Sequence, residues 1–527
     1  MSKTAVVIGG GIGGLATAAL LAKAGMKVSL YEGRAAVGGR ASVWEQDGFK
    51  FDMGPSWYLM PDAFDQFFKL MGTTAAEQLN LVRLDPAYQT RNEGYGDKLL
   101  IRESVADNKA LFEALEPGAG QKLQEYLDSA EDTYRLAVDK FLYTNFENAK
   151  PFTNAQVLSR AGKFVSQLLV SLDSFVSKHV TEPRLKKILD FPAVFLGASP
   201  YSLPSMYHLM THVDMNVGVF YPMGGFYTII QAIERLAVEH GVQIHTNSPV
   251  TKILVDQSGR AAGIEVGAAQ VTADIVVANA DLHHVETKLL EPKRQSLPAK
   301  WWDKKQPAPS GLLLFLGVKG SLPQLDHHSL LYTKDWQANF DMVFKKADGN
   351  SKVPAPASIY ICKPSATDSS VAPEGYENLF VLVPIAPDVA IGAGGINGTG
   401  DVSLEAAADE IIAQIADWCE IPDLQERIVL RRTMGPADFA REFNAWSGTA
   451  LGMAHTLGQS AFFRPKNVSS KVSGLYYVGH NAVPGIGLPM CLIGAELVYK
   501  RLIGDTSPGP IQAEIQPLPD QAFKGIR

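Results

Sequence analysis

Three cysteines are all that this chain of 527 residues contains. Cys362, Cys419 and Cys491 are odd in number and widely spaced, with no C-x-x-C pair and no histidine companion pattern. That excludes a disulfide framework, so they read as buried apolar thiols of a reducing cytoplasm, and no metal is expected. Long lysine or arginine blocks are missing too. At a net charge of −7 and a pI near 5.9, no run is able to neutralise phosphates, which argues against a nucleic-acid partner. The acidic balance still leaves room for a local patch that touches a membrane. Residues 4–22 carry no charge and follow Lys3. Glycines crowd the first half of that run and the pattern turns from strand to helix, which spoils both a signal peptide and a membrane span. The apolar runs 311–318 and 379–386 are short enough to be buried strands, so no spanning anchor is expected.

What is present starts at once. A composition 46% hydrophobic supplies core for two or three domains. The apolar run 5–8 reads as a parallel strand, Gly9, Gly11 and Gly14 form G-x-G-x-x-G, and residues 15–24 form a small-residue helix. Gly9 permits the turn and Gly11 lets a pyrophosphate approach the backbone. Gly14 lets helix and strand close, with Ile12 and Gly13 at the helix N-terminus beside the anion. A second strand over 26–31 ends in Glu32-Gly33, where an acid meets the adenosine ribose hydroxyls. A bound dinucleotide follows. Gly38-Gly39-Arg40 comes next, its arginine placed to meet pyrophosphate charge; an ordinary hairpin with a surface arginine is the competing reading. The segment Phe51-Asp52-Met53-Gly54-Pro55-Ser56 is close behind.

Further along, 221–225 opens a helix over 226–240, with strands over 242–245, 250–256 and 273–278. Val157, Leu158, Ala161, Phe164, Val165, Leu168, Leu169, Leu172, Phe175 and Val176 recur at helical spacing, with Arg160 and Lys163 near the start and Thr153-Asn154 as a cap. Two readings stand: a helix packed on its own domain, or one lying in a membrane interface. Strands are expected at 311–318, 357–362 and 378–384, and a helix at 404–421. Residues 504–527, rich in Pro, Gly and Gln, read as a flexible tail. Before it, 475–479 is a strand, and Pro484-Gly485-Ile486-Gly487-Leu488-Pro489-Met490 leads into a helix over 491–502. That offers a second helix N-terminus to the cofactor, whose dipole favours the negative charge of a reduced flavin.

The Gly-Gly-Arg at 38–40 and the Asp-x-Gly at 52–54 resemble those of the FAD-dependent amine oxidase and phytoene desaturase superfamily. Four further segments resemble bacterial-type phytoene desaturases: Gly218 to Gly225, Ala273 to Asp281, Gln459 to Asn467, and Gly474 through Pro489. The likeness spans nearly the whole chain. It implies FAD rather than NAD, and an α/β fold with a Rossmann-type, glutathione-reductase-like FAD domain discontinuous in sequence: 1–72, 220–290 and 468–503. Residues 73–219 would be a helical, membrane-facing substrate region and 291–467 a mixed-sheet substrate domain. The resemblance adds Gly54, Pro55, Ser56, Val250, Asn279, Gly479, His480, Gly487, Leu488 and Pro489 as cofactor contacts. It also makes Asp52, Ser56, Trp57 and His480 the candidates for catalysis beside the ring. His480-Asn481 departs from the Gly-Asp pair of many such flavoproteins, which leaves open what holds the ribityl chain.

The implied reaction is desaturation of a linear carotenoid, phytoene toward lycopene. A hydride goes to flavin N5 and a proton to a carboxylate, imidazole or water. No second nicotinamide-type motif occurs, so oxygen or a membrane quinone is expected to reoxidise the flavin, in a cytoplasmic protein held peripherally on the membrane. A carotenoid cis-trans isomerase, a soluble amine oxidase and a non-catalytic flavoprotein remain as alternatives.

Overall fold

The structure is a computed structural model that describes residues 2–147, 161–344 and 347–519. Five parallel strands form its nucleotide-side sheet, in the order Leu475–Tyr477, Ile275–Ala278, Thr4–Ile8, Lys27–Tyr31 and Gln243–His245. Three stretches far apart in sequence therefore share one hydrogen-bonded layer. Strands Thr4–Ile8 and Ile275–Ala278 are short runs of Val, Ile and Ala, almost wholly buried, as central parallel strands covered on two sides must be. Helices Ile12–Lys23, Tyr227–Glu239 and Leu488–Ile503 pack together on one face. The antiparallel strands Val250–Val255, Ala261–Val266 and Ala269–Thr272 form a separate small sheet.

A second, seven-stranded mixed sheet runs Ile428–Met434, Ser310–Lys319, Tyr376–Ile385, Ile359–Cys362, His328–Tyr332, Tyr88–Asn92, Lys98–Ile101. Period-two alternation sorts the side chains of Ser310–Lys319. Leu312, Leu314 and Leu316 meet Leu404, Ile411 and Ile415 of helix Val402–Trp418. Leu313 and Phe315 meet Phe49 and Phe51 on the other side. Two strands of this sheet, Tyr88–Asn92 and Lys98–Ile101, come from the stretch read as helical.

The long helix expected near 155–180 is not one element. Positions 153–160 lie outside the described residues. Beyond them, helix Ala161–Leu169 stops and a new helix, Leu172–Val176, is capped by Ser171, whose hydroxyl accepts the Ser174 N–H at 3.3 Å. The break is held from outside, because the Ser205 N–H donates to Val170 O and the Leu172 N–H to Leu203 O.

Residues 505–519, expected as a flexible tail, are pinned instead. Ile515 is buried and its N–H donates to Leu70 O, and the Leu518 N–H donates to Ala24 O. The Ile511 N–H donates to Glu496 at 2.6 Å. Lys500 is fully buried, and its ammonium donates to the carbonyls of Tyr143 (3.0 Å), Ser507 (2.7 Å) and Gly509 (2.9 Å), tying the last helix to the helical region and the tail. Lys500→Met would leave three buried carbonyls short of a donor. A loss on the order of 3 kcal/mol is expected in denaturant unfolding, with residues 505–519 becoming the first site of limited proteolysis.

Candidate functional site

Strand Thr4–Ile8 runs into Gly9, whose φ of +92° only glycine adopts cheaply. Helix Ile12–Lys23 begins directly after Gly11 with no side chain capping it, so its first-turn amides keep their donors for a ligand. A Cβ on Gly14 would sit 2.1 Å from Gly9 O, so the position tolerates only glycine. Gly14 thus serves the turn by close approach and does not itself line the cavity. Glu32 is buried at the end of the second strand. One carboxylate oxygen accepts the Gly10 N–H at 2.7 Å and the other the Arg34 N–H at 2.8 Å, which fixes its orientation and leaves lone pairs for hydroxyl donors.

This turn forms one end of a cavity of about 1110 Å³. Gly9, Gly11, Ile12, Gly13, Glu32 and Gly33 line that end; Gly38, Gly39 and Arg40 follow, then Gly54, Pro55, Ser56 and Trp57. Val250 and Asn279 face it from the middle of the chain, and Gly479, His480, Gly487, Leu488 and Pro489 from the end. The other end is apolar, walled by Phe191, Val194, Phe195, Leu209, Met210 and Phe344.

Arg40 projects at the junction. Nη1 lies 3.4 Å from His480 Nδ1, while Nε and Nη2 are buried without a partner. A buried guanidinium with open donors is suited to a bidentate anion. His480 Nε2 is 3.8 Å from Asp281. Burial, with the Arg40 charge adding to it, pushes the His480 pKa down to about 4, so the imidazole is neutral near pH 7. The loops around it are clamped: Arg464 donates to His480 O at 2.6 Å and to Met453 O at 3.2 Å, and Asn467 donates to Tyr477 O and Val483 O.

Asp52, expected beside the ring, does not reach this cavity. Its carboxylate accepts the Phe226 N–H at 2.8 Å and the Tyr227 N–H at 3.1 Å, at the start of helix Tyr227–Glu239. The pleat explains this: Phe49 and Phe51 point to the core, so Asp52 turns the other way. Ser56 and Trp57 do line the cavity, and they bring in residues that the sequence reading missed. Ser56 Oγ is 2.7 Å from Tyr360 OH, which is 2.8 Å from His328 Nδ1, and the Trp57 ring stacks on His328 at 4.5 Å. Cys362, read as having no histidine companion, lies within 4.8 Å of a ring nitrogen of both His327 and His328. The adjacent histidines were the one signal in the sequence that pointed here.

The flavin containing amine oxidoreductase family matches residues 12–494. The chain belongs to that family. This flavoprotein is 41% identical over 500 residues to a carotenoid 3,4-desaturase of Haloarcula japonica, covering 95% of this chain and 98% of that one. It is 35% identical to a zeta-carotene-forming phytoene desaturase of Myxococcus xanthus, at 94% and 93% coverage. A solved oxidoreductase from Methanosarcina mazei shares the fold at a TM-score of 0.62 and 20% identity, with 94% of this chain and 100% of that one covered. Putrescine oxidase with putrescine bound does so at 0.60 and 15%, with 96% and 99% covered. The cofactor of the flavoprotein is FAD, and the site fits it through the uncapped helix start, the anchored Glu32 and the unpartnered nitrogens of Arg40.

Arg40→Met is expected to weaken FAD binding to the apoprotein by about 10–100-fold, read by quenching of flavin fluorescence. Asp52→Asn is expected to retain FAD and cost roughly 1 kcal/mol of stability as a weakened cap.

Proposed function

We propose that the protein is an FAD-dependent carotenoid desaturase that introduces double bonds into a linear carotenoid, with phytoene entering and lycopene leaving. One observation carries this reading: a single cavity joins the dinucleotide turn to a long apolar chamber. The relatives named above support the substrate class. Among the described residues the carboxylates that line the cavity are Glu32, Asp281 and Glu442, and none stands with Phe191, Phe195, Leu209 and Met210 to hold an amine.

FAD, when bound, supplies the hydride acceptor. The chain itself orients an unfunctionalised hydrocarbon, keeps water from it and receives one proton. Phe191, Phe195, Leu209 and Met210 hold the polyene by surface contact alone, which sets position along the tunnel rather than polar recognition. The proton lost next to a delocalised allylic cation is strongly acidic, so a weak neutral base suffices. The polar side chains near the junction, Ser56, Tyr360 and His480, are such groups.

A substrate of this class resides in lipid, and the protein is proposed to dock peripherally to collect it. No helix among the described residues is long and apolar enough to cross a membrane. Exposed apolar side chains support docking: Val165 (52%) and Leu169 (74%) on helix Ala161–Leu169, and Phe462 (47%) and Phe463 (63%). The segment Ser205–His208 packs behind the first of these, the Ser205 hydroxyl donating to Gln167 O at 3.2 Å. Oxygen or a membrane quinone is the proposed oxidant of the reduced cofactor.

Mixed anaerobically with phytoene in liposomes, the holoprotein is expected to bleach its flavin band as the carotenoid loses one hydrogen pair per new double bond. Unchanged carotenoid mass with altered geometry would replace the proposal by isomerisation. Bleaching only with an already conjugated carotene would move the site of desaturation toward the 3,4 position. Leu169→Glu with Phe463→Glu is expected to reduce flotation with liposomes several-fold while FAD content stays unchanged.

A further inference from the structure

An apolar chamber that releases a proton at every turnover needs a polar way out. Two buried imidazoles stand behind its wall, each with one nitrogen engaged and one free. His328 is fully buried; Nδ1 is 2.8 Å from Tyr360 OH, and Nε2 has no partner. His327 is 4% exposed; Nδ1 is 2.7 Å from Thr367 Oγ1, and its Nε2 also has no partner. The rings meet edge-on with centroids 4.6 Å apart, and a nitrogen of one lies within 4.8 Å of a nitrogen of the other. A single water can bridge two imidazoles at that separation, and a path through both rings places one between the two unpartnered nitrogens.

On the chamber side the chain begins at Ser56, 2.7 Å from Tyr360 OH, and both residues line the cavity. At the far side it reaches Thr367, which is only half-buried. We propose that Ser56, Tyr360, His328, His327 and Thr367 form a proton exit path from the substrate chamber to solvent, a role that rests on the desaturase reading.

One tautomer pattern runs through the whole chain. The Ser56 hydroxyl donates to Tyr360, Tyr360 donates to His328 Nδ1, and the His328 Nε2–H points to the bridging water. His327 accepts at Nε2 and donates from Nδ1 to Thr367 Oγ1. After hydride loss from the adjacent allylic carbon, the C–H pair becomes the π bond and the proton goes to Ser56 Oγ. The Ser56 proton moves to Tyr360, the Tyr360 proton to His328 Nδ1, and one proton leaves through Nε2, His327 and Thr367. Every hydroxyl ends protonated and both imidazoles end in the opposite tautomer, so the hydrogen bonds of the chain turn back before the next turnover; no external redox partner is needed for the transfer.

The surroundings suit transit rather than storage. Burial lowers the basicity of both rings, His327 to about 3, with the Lys363 charge adding to the effect and Asp368 opposing it. A proton therefore does not rest on either ring, and the allylic cation is acidic enough to drive it through. Trp57, stacked on His328 at an interplanar angle of 10°, holds that ring against the chamber wall.

Tyr360→Phe breaks the path with the loss of one oxygen and keeps the ring. The expected result is a fall in kcat of about 100-fold, the range of a lost acid–base group. KM, FAD content and Tm should stay near wild type, and the solvent deuterium effect on turnover should change. Ser56→Ala, a second interruption, is expected to act in the same direction. In the resting protein, ¹⁵N-histidine NMR should show the His328 Nδ1 resonance shifting in Tyr360→Phe. Wild-type turnover with an unchanged deuterium effect in both variants would overturn the path, as would a stoichiometric metal bound at His327, His328 and Cys362 in the purified holoprotein. If wild-type protein leaves phytoene untouched, the desaturase reading fails. The path then falls with it, whereas an unshifted His328 resonance in a protein that does desaturate phytoene removes the path's central link and leaves the desaturase reading standing.

Discussion

The seam where strand Ile275–Ala278 lies between Thr4–Ile8 and Leu475–Tyr477 is the constraint on which the rest depends. The Asn279 N–H donates to Ile8 O at 2.8 Å, its side chain donates to Gly9 O at 3.3 Å, and the Val478 N–H donates to Ala278 O at 3.1 Å. Cβ atoms on Gly11, Gly13 and Gly14 would crowd the Asn279 side chain, at 2.9, 2.8 and 2.9 Å from its nearest atom. One asparagine therefore fixes the glycine turn and aligns it with the C-terminal Gly479. The starts of helices Ile12–Lys23 and Leu488–Ile503, neither with a side-chain cap, then face one cavity, because parallel strands of a shared sheet present their carboxyl ends to the same side.

Around that seam, buried polar groups act as clamps between segments that have no covalent proximity. Arg464 holds the loop at 480 to the loop at 453, and Lys500 holds the last helix to Tyr143 and the tail. Each is a charge out of water, tolerable because backbone carbonyls take up its donors. The same low-polarity surroundings keep His480 neutral beside Arg40. Arg464 leaves only Nε open and stands outside the cavity, whereas Arg40 leaves Nε and Nη2 open and lines it, which suits Arg40 to a ligand.

Local pattern carried much of this fold. The strands expected at 311–318 and 378–384 occur as Ser310–Lys319 and Tyr376–Ile385, and the helix expected at 226–240 as Tyr227–Glu239. These elements have a hydrophobic period that needs no distant partner to be recognised. Tyr88–Asn92 was missed because Tyr-Gln-Thr-Arg-Asn is polar; its Gln89 and Thr90 are buried, and the Gln89 amide finds its partners far away in sequence, in Ser329 Oγ at 2.7 Å and Gln324 O at 3.0 Å. The break at Ser171 was missed for a similar reason: a continuous apolar face says nothing of carbonyls and amides arriving from 203–205.

By itself the sequence determined the dinucleotide turn, because sterics at Gly9 and Gly14 act between atoms a few residues apart. It also determined the acid at position 32 and the resemblance to an FAD-dependent family. Tertiary structure alone decided which way the neighbouring side chains look. Asp52 caps a helix from another part of the chain, while Ser56, four residues on, faces the cavity and meets Tyr360. It alone placed Cys362 beside two histidines and tied the tail to the carbonyls of Leu70 and Ala24. Side-chain direction and partnership are set by sheet register and by what lies opposite, and neither is written within any one segment.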